Sequence, residues 1–397
     1  MRKSVTKTLK DEESLRRSIK RHLRSLGFTT TNGRLYHGSD DKQRIRDLHR
    51  NQRFEKLSAA KLRLVSQWRD LIGYTATGKE IDIRRISPRL ELIEGRSWQS
   101  ELFAFASLYW SIPTSQGYGR RMRFLCWDDS NGKLIGLIAL GDPVFNLRVR
   151  DAYIGWTGND RVKRLSCVMD AYVLGALPPY NKILAGKLVA CLLRSKFIAD
   201  AFRSRYSNQR TIISGRKQKR ALAVVTTSSA LGRSSVYNRL RIGDDVFLRS
   251  VGLTRGFGHF HVPSRLFTRM RSYLGEKGHE YANGHEYGQG ANWRMRVIRE
   301  TLSQLELPPQ LLRHGISREV FVAEIGTNSR EYLRGEAKDL NATNQLEVDE
   351  IAIRAMERWV LPRAERDPSF KSWNHSDFLQ AIGVEPTRRG SLRIASH

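Results

Sequence analysis

The stretch MRFLCWDDSNGKLIGLIAL, residues 122–140, decides the fold of this chain. Two apolar runs, 122–127 and 134–140, flank a polar segment that contains Asn131-Gly132, a strong signal for a tight hairpin turn. The stretch therefore predicts an antiparallel pair of strands at the centre of the molecule.

Apolar segments on the C-terminal side of this hairpin extend it into a sheet. A longer apolar periodicity over 183–202 predicts a buried helix, and 236–240 is expected to form a short helical piece. We expect an α+β protein, with a central mixed sheet flanked by N-terminal and C-terminal helical segments. The further strands are predicted at 151–156, 167–177, 221–227, 246–253 and 259–262.

The two ends of the chain differ from the middle in pattern and charge. Apolar residues recur at helical spacing in 11–26, and basic side chains crowd the rest of that segment. From Asn292 onward the chain is predicted to be helical and is richer in acidic residues. We therefore expect a basic helical arm at 1–74, a central α/β core at 75–290 and a helical unit at 291–397.

The charge of the chain points to a polyanionic partner. Lys and Arg outnumber Asp and Glu by 69 to 40, which gives a net charge of +29 and a sequence pI near 10.5. Residues 1–72 hold 19 basic against 8 acidic residues, and 203–220 holds seven basic residues without an acid. Such local excesses favour nucleic acid, because its phosphates neutralise them with release of counterions. A generically basic enzyme is the alternative.

Composition also bounds the compartment. No apolar run approaches the eighteen or more residues of a membrane span, and the basic N-terminus has no apolar stretch behind it. Cys126, Cys167 and Cys191 are widely spaced in apolar segments, which favours buried thiols over disulfides or a metal knuckle. We expect a cytoplasmic protein that does not associate with membranes.

Three separated motifs point to a family. They read GKLIGLIALGDP at 132–143, RDAYIGW at 150–156 and GRSSVYNR at 232–239. In this order, over roughly residues 85–262, they resemble the DruA family, the first component of Druantia anti-phage defence systems. The resemblance implies a bacterial defence protein that acts beside a helicase-like partner and other defence proteins, and it brings no established catalytic residues.

The order of hairpin, strand, helix and strand is also similar to that of GNAT acetyltransferases. That similarity implies an acyl-CoA pyrophosphate site on backbone amides at a helix start near Asn181. An anion or acyl-CoA-like ligand would there meet Asn181, Lys182 and Lys187. Residues 178–187, PPYNKILAGK, lack the paired glycines of those enzymes, and the alternative is that both lysines are solvated while Gly186 allows close packing.

Carboxylates in the predicted sheet raise the alternative of a metal-dependent nuclease. Asp142, Asp151 and Asp170 would hold Mg²⁺ if they converged. Asp151 directly follows Arg150, however, which equally fits a structural ion pair.

Other catalytic patterns are sparse. Ser234 and Tyr237 are candidates for proton transfer in a transferase; the favoured alternative is that Ser234 caps a helix. The phosphate-binding loop of ATPases is absent, so ATP hydrolysis is expected of another protein. His279, Glu280, His285 and Glu286 lie in the glycine-rich stretch 278–290, which favours a polar loop over a metal site. His259 and His261 alternate on a predicted strand and would face the same side, but no bound metal is expected there either.

Clusters of basic residues with interspersed aromatic rings favour binding of single-stranded or junction DNA with little sequence preference. We expect a nucleic-acid-binding defence component; an enzyme that acts on nucleic acid and an oligomer-forming scaffold remain alternatives. The predicted contact residues are Arg16, Arg17, Lys20, Arg21, Arg120, Arg121, Arg203, Arg205, Arg210, Arg216, Lys217, Lys219, Arg220 and Arg255.

Overall fold

The structure of the protein is a computed structural model. It describes residues 2–31, 34–36, 41–64, 67–114, 119–207, 221–284, 291–387 and 392–394.

Helices and strands alternate along the described chain, and the predicted α+β class is confirmed. The α-helices are α1 (Arg2–Ser25), α2 (Lys42–Leu48), α3 (Arg50–Leu64), α4 (Trp68–Ile72), α5 (Trp98–Ala106), α6 (Arg148–Ile154), α7 (Gly158–Arg164), α8 (Ala185–Cys191), α9 (Lys196–Tyr206), α10 (Ser264–Glu276), α11 (Ala291–Gln304), α12 (Ser329–Arg334), α13 (Val348–Ala355), α14 (Leu361–Arg366) and α15 (His375–Ile382). The strands are β1 (Thr29–Thr31), β2 (Arg34–Tyr36), β3 (Pro88–Leu92), β4 (Arg121–Asp128), β5 (Lys133–Gly141), β6 (Val168–Ala176), β7 (Val224–Ser228), β8 (Leu240–Ile242), β9 (Asp245–Leu253), β10 (Glu319–Glu324), β11 (Val384–Pro386) and β12 (Leu392–Ile394).

The chain forms two compact units. The first, here called the split unit, combines residues 1–54 with 254–318. The second, the sheet unit, combines residues 55–253 with 319–397. These units differ from the three consecutive segments expected from sequence, because helices far apart in the chain pack on one another within the split unit.

The sheet unit is organised by one mixed eight-stranded sheet. Its strand order is β3-β4-β5-β6-β7-β10-β9-β8. All neighbouring strands run antiparallel except β6 and β7, which are parallel and pair only over Val168–Asp170 and Val224–Thr226. The predicted hairpin is confirmed as β4 and β5, joined at Asp128–Lys133.

Both faces of this sheet are covered, which explains why its central strands are apolar throughout. In β5, Ile135 and Ile138 belong to one buried cluster, whereas Leu134 and Leu137 belong to another. The first cluster includes buried residues of α8, α9 and α13, and the second includes those of α4, α5 and α15. A third cluster joins α6 and α12 to β6, β7 and β10.

The split unit is built on α1, α10 and α11. Leu15, Ile19 and Leu23 of α1 are buried, and each such burial contributes about 1.5–3 kcal/mol. Arg269 of α10 donates to the Ser18 hydroxyl over 2.6 Å, so α1 lies against α10. The helix predicted within 11–26 is thereby confirmed.

Several predicted elements are wrong. Residues 151–156 were expected as a strand but lie in and just after α6, which ends where Gly155 adopts φ 83°. The single helix expected over 183–202 is two helices, because Ser195 leaves the helix and caps α9. The helical piece at 236–240 is a turn that leads into β8.

Two further expectations are corrected by the sheet. The tail after Asn292 is not helical throughout, since β10 lies between β7 and β9. Residues 259–262 form bends and turns rather than a strand. Among the described residues, no helix combines the length and the apolar character needed to cross a bilayer.

Candidate functional site

A row of basic side chains on α1 forms one candidate surface, here called the cationic face. At 100° per residue, its members fall within an arc of about 100° around the helix axis. Leu15 and Ile19 lie on the opposite side of the helix. All of its members are exposed: Lys10, Arg17, Lys20, Arg21 and Arg24. Arg17 approaches Glu13 at 4.0 Å, a distance at the limit for an ion pair. Arg16 lies beside this face and reaches Glu306 at 3.8 Å.

Arg120, also a predicted contact residue, is instead held inside the sheet unit. It donates to Asp142 Oδ1 over 2.7 Å and to the carbonyl oxygens of Ser166 and Val168. Its guanidinium also lies 5.5 Å from the ring centre of Tyr206. These contacts use the donors that a phosphate would need.

The other described candidates are exposed, and Arg121 lies near Arg205, because the Arg121 amide and carbonyl both hydrogen-bond the hydroxyl of Tyr206, the next residue after Arg205. Arg121 begins β4, Arg203 pairs with Asp200 at 3.0 Å on α9, and Arg205 is exposed on the same helix. Arg255 belongs to the split unit. Outside the described residues lie Arg210, Arg216, Lys217, Lys219 and Arg220.

The predicted anion site near Asn181 has its side chains occupied by the protein. Lys187 donates to the carbonyl oxygens of Ser235 and Val236, and burial lowers its pKa. Lys182 lies 5.0 Å from the ring centre of Trp373. Asn181 donates to the Tyr109 hydroxyl over 2.8 Å.

The helix start predicted near Asn181 is displaced as well. Tyr180–Ile183 is a 3-10 turn, and α8 begins only at Ala185, after Leu184 in the left-handed region. Leu184 thus separates Asn181 and Lys182 from the helix whose amides are predicted to bind an anion, whereas Lys187 lies within that helix.

Ser234 and Tyr237, the predicted proton-transfer candidates, make structural hydrogen bonds. Ser234 Oγ accepts from the Tyr237 amide over 3.2 Å, and the Tyr237 hydroxyl donates to the Leu174 carbonyl over 2.6 Å. Burial raises the pKa of Tyr237. The Tyr237 hydroxyl ties the GRSSVYNR motif to β6 at Leu174, beyond the residues where β6 pairs with β7.

The three carboxylates do not form a metal site. Asp142 binds Arg120, and Asp151 lies on α6 between two guanidinium groups. Asp170 is half-buried in β6 and accepts from the Thr226 hydroxyl over 2.7 Å. Burial raises the pKa of Asp170 to about 6, partly offset by that hydrogen bond.

Histidines are likewise tied into the fold. His261 is buried and its Nε2 contacts the Leu311 carbonyl, whereas His279 lies 3.5 Å from Glu300. His285 and Glu286 lie outside the described residues, as do the neighbours that complete their loop. Within the described ranges, no group of three or more metal-binding side chains is present.

The sequence prediction missed a cavity beside α6. Its volume is about 360 Å³. The RDAYIGW motif supplies half of its lining, and the motif was the available signal, although its misassignment as a strand hid the geometry. The lining residues are Asn146, Arg148, Asp151, Ala152, Trp156 and Arg161.

Arg150 fixes the backbone and the carboxylate next to this cavity. Its side chain is fully buried and donates to Asp151 Oδ1 over 2.6 Å and to the carbonyl oxygens of Val144 and Phe145 over 2.9 and 3.0 Å. The second carboxylate oxygen of Asp151 accepts from Arg161 over 2.7 Å. The ion pair expected as one alternative for Asp151 is therefore present.

Comparison with known proteins agrees with the motifs. The family model described as Druantia protein DruA matches residues 39–335. A curated relative, the Druantia protein DruA of Escherichia coli (strain UMEA 4076-1), is 45% identical over 372 residues, which cover 94% of this chain and 92% of the relative. No solved structure matches the chain. The resemblance inferred from the motifs is confirmed: the chain belongs to the DruA family, whose proteins are components of Druantia anti-phage defence.

Proposed function

We propose that the protein binds nucleic acid, with DNA favoured, as its contribution to Druantia defence, and that it does so beside other proteins of that system. Binding engages the phosphate backbone with little sequence preference. The observation that carries this proposal is the cationic face of α1, on which five exposed cations share one side of a helix.

The cationic face is fixed in its orientation by the opposite side of the helix. Leu15, Ile19 and Leu23 are buried, and Ser14 and Ser18 both accept hydrogen bonds from α10. The helix cannot turn its cations inward without exposing these apolar side chains. The charges are therefore held towards solvent, where a polyanion can reach them.

The length of the face suits a nucleic-acid backbone. Lys10 and Arg24 are fourteen residues apart, which spans about 21 Å along a helix. Duplex DNA carries one phosphate charge per roughly 1.7 Å of axis, so several phosphates lie within that span. Neutralising them releases condensed counterions, which makes the affinity strongly dependent on salt.

Other cations of the split unit add to the same electrostatic character. Arg299 of α11 lies 5.7 Å from the ring centre of Phe257, and that ring is 46% exposed. An exposed aromatic ring next to a guanidinium is suited to contact an unstacked base. Arg255, two residues before Phe257, is exposed as well.

The test is charge reversal on the cationic face. A triple variant, Lys20→Glu, Arg21→Glu and Arg24→Glu, is compared with a control that reverses three exposed cations of the sheet unit, Lys338→Glu, Arg358→Glu and Lys371→Glu. Both variants change the net charge equally. Affinity for single-stranded and duplex DNA is measured by fluorescence anisotropy across a salt series.

We expect the triple variant to lose affinity and to flatten the plot of log affinity against log salt by about 0.9 for each lost phosphate contact, whereas the control retains the slope. Circular dichroism checks that α1 remains helical. Equal slopes for the triple variant and the native protein would contradict the proposal, and equal losses in both variants would reduce it to an effect of net charge.

A further inference from the structure

The cavity beside α6 has the composition of an anion site with aromatic walls. Arg148 and Arg161 line it together with Trp156, and Asn146 contributes an exposed amide. It is an open cleft rather than an enclosed cavity, and its volume of about 360 Å³ is at the lower end of the roughly 300–1,000 Å³ found for small-molecule sites. Inorganic phosphate alone is too small to fill it.

The wall of the cavity is built before any ligand arrives. Arg150 ties the carbonyl oxygens of Val144 and Phe145 to Asp151 from beneath, so the segment that leads into α6 is fixed. Trp156 is fixed as well, because its indole Nε1 donates to the Leu333 carbonyl over 2.7 Å. Such preorganisation lowers the entropic cost of binding.

The charges at the cavity favour an anion. The single lining carboxylate, Asp151, is already shared between Arg150 and Arg161. Arg148 is exposed and, within the described part of the chain, has no ion pair or side-chain hydrogen bond. Arg161 is partly exposed (20% of its side chain) and makes one ion pair, with Asp151, so its guanidinium keeps positive charge at the cavity. Guanidinium groups with unused donors are the side chains that best match phosphate oxygens.

The aromatic surroundings favour a ligand that also carries a flat ring. Phe145 is 50% exposed, and the Arg161 guanidinium lies 4.8 Å from its ring centre. Trp156 is partly exposed at the cavity wall. Bases stack on aromatic rings and on guanidinium planes, each contact contributing about 1–3 kcal/mol.

We propose that this cavity binds one nucleotide, with its phosphate at Arg148 and Arg161 and its base against Trp156. The nucleotide is either free or an unstacked residue of a nucleic-acid strand. All lining residues of the cavity belong to the sheet unit, so this site shares no residue with the cationic face of α1.

The experiment uses the full chain and three probes: AMP, inorganic phosphate and a short oligo(dA). Binding is measured by isothermal titration for the native protein, for Arg148→Gln and Asn146→Ala, and for the control Arg358→Gln, which removes an exposed arginine of the sheet unit away from the cavity. Arg148 and Asn146 are exposed, so neither change removes buried packing.

We expect AMP to bind more tightly than inorganic phosphate, and Arg148→Gln to weaken AMP about tenfold, as for the loss of a charge-assisted hydrogen bond. Arg358→Gln should leave the affinity unchanged. If oligo(dA) competes with AMP, or if oligo(dA) alone binds in a way that depends on Arg148, the ligand of the cavity is a nucleotide within a strand. If AMP binds and oligo(dA) does not compete, the ligand is a free nucleotide.

The proposal is overturned if Arg148→Gln affects no probe, or if inorganic phosphate binds as tightly as AMP, which would indicate a simple anion site. The triple variant of α1 separates the two sites. It should weaken the binding of oligo(dA) without changing the affinity for AMP. The nucleotide site can therefore be disproved while the proposal for α1 stands, and the proposal for α1 can be disproved while the nucleotide site stands.

Discussion

The cationic face of α1 and the region around Arg150 contain the same residue types in opposite settings. The split unit has 25 Lys or Arg against 11 Asp or Glu in 119 residues, whereas the sheet unit has 44 against 29 in 278. On α1 the cations point to solvent. Arg150 is fully buried and spends its donors on two carbonyl oxygens and a carboxylate. A high content of arginine in the sequence is therefore compatible with exposed cations and with buried, hydrogen-bonded ones.

The difference teaches that a cation near an aromatic ring is ambiguous in sequence. Arg120 is a predicted nucleic-acid contact, yet it is bound by Asp142 and two carbonyl oxygens, with its guanidinium 5.5 Å from the ring centre of Tyr206. Lys187 is similarly bound by the loop of the GRSSVYNR motif. Exposed and buried cations can be told apart by removing them one at a time.

The largest expected effect is from Arg150→Ala compared with Arg24→Ala. Loss of Arg150 removes the donors to Asp151 Oδ1 and to two carbonyl oxygens, although Arg161 still donates to Asp151 Oδ2, and should lower the free energy of unfolding by about 3–5 kcal/mol. Loss of the exposed Arg24 should cost less than about 0.5 kcal/mol. Urea unfolding measures both, and a similar small loss in each variant would contradict the contrast.

The split unit should lose stability in acid. Burial lowers the pKa of His49 and of His261 to about 4, against an ordinary value near 6.5. The unfolded chain therefore binds more protons between pH 6.5 and 4, and stability falls across this window by up to about 3 kcal/mol for each histidine.

Hydrogen-exchange mass spectrometry on split-unit peptides, corrected for intrinsic exchange rates, tests this dependence. His49→Gln should reduce the loss of stability between pH 6.5 and 4 by the contribution of one histidine. An unchanged pH profile in that variant would show that His49 is not responsible.

The sheet unit should respond to acid in the opposite direction at Asp170. Its pKa is raised from 3.8 to about 6, so the folded state binds the extra proton, and stability is lost as the pH rises from 3.8 through 6. Asp170→Asn keeps an acceptor for Thr226 and should raise the free energy of unfolding at pH 7.5 by roughly 2–3 kcal/mol. Thermal unfolding at pH 4 and pH 7.5 measures the effect, which should be near zero at the lower pH.

The smallest effect on stability is expected for Lys20→Gln on the cationic face. Lys20 is exposed, so the free energy of unfolding should change by less than about 0.5 kcal/mol. If Lys20 contacts one phosphate, the slope of log affinity for DNA against log salt concentration should still become shallower by about 0.9. Anisotropy titrations at several salt concentrations separate this binding effect from stability.

Parts of the fold could be predicted because their patterns are local. The hairpin of β4 and β5 follows from its turn residues and two apolar runs, and α1 follows from its helical periodicity. Residues 151–156 were wrongly predicted as a strand because Tyr153, Ile154 and Trp156 favour strands, whereas the fold places them in and after α6, where Arg150 hydrogen-bonds back to residues 144 and 145. The similarity to GNAT enzymes stays a prediction.

By itself, the sequence determined the α+β class, the family, the basic character and the central hairpin. These depend on composition and on residues close together in the chain. Only the tertiary structure decided which cations remain free, where β10 enters the sheet, and that α6 walls a cavity. Those outcomes depend on pairs such as Arg120 with Ser166, or β7 with β10, which are distant in sequence and meet only when packing brings them together.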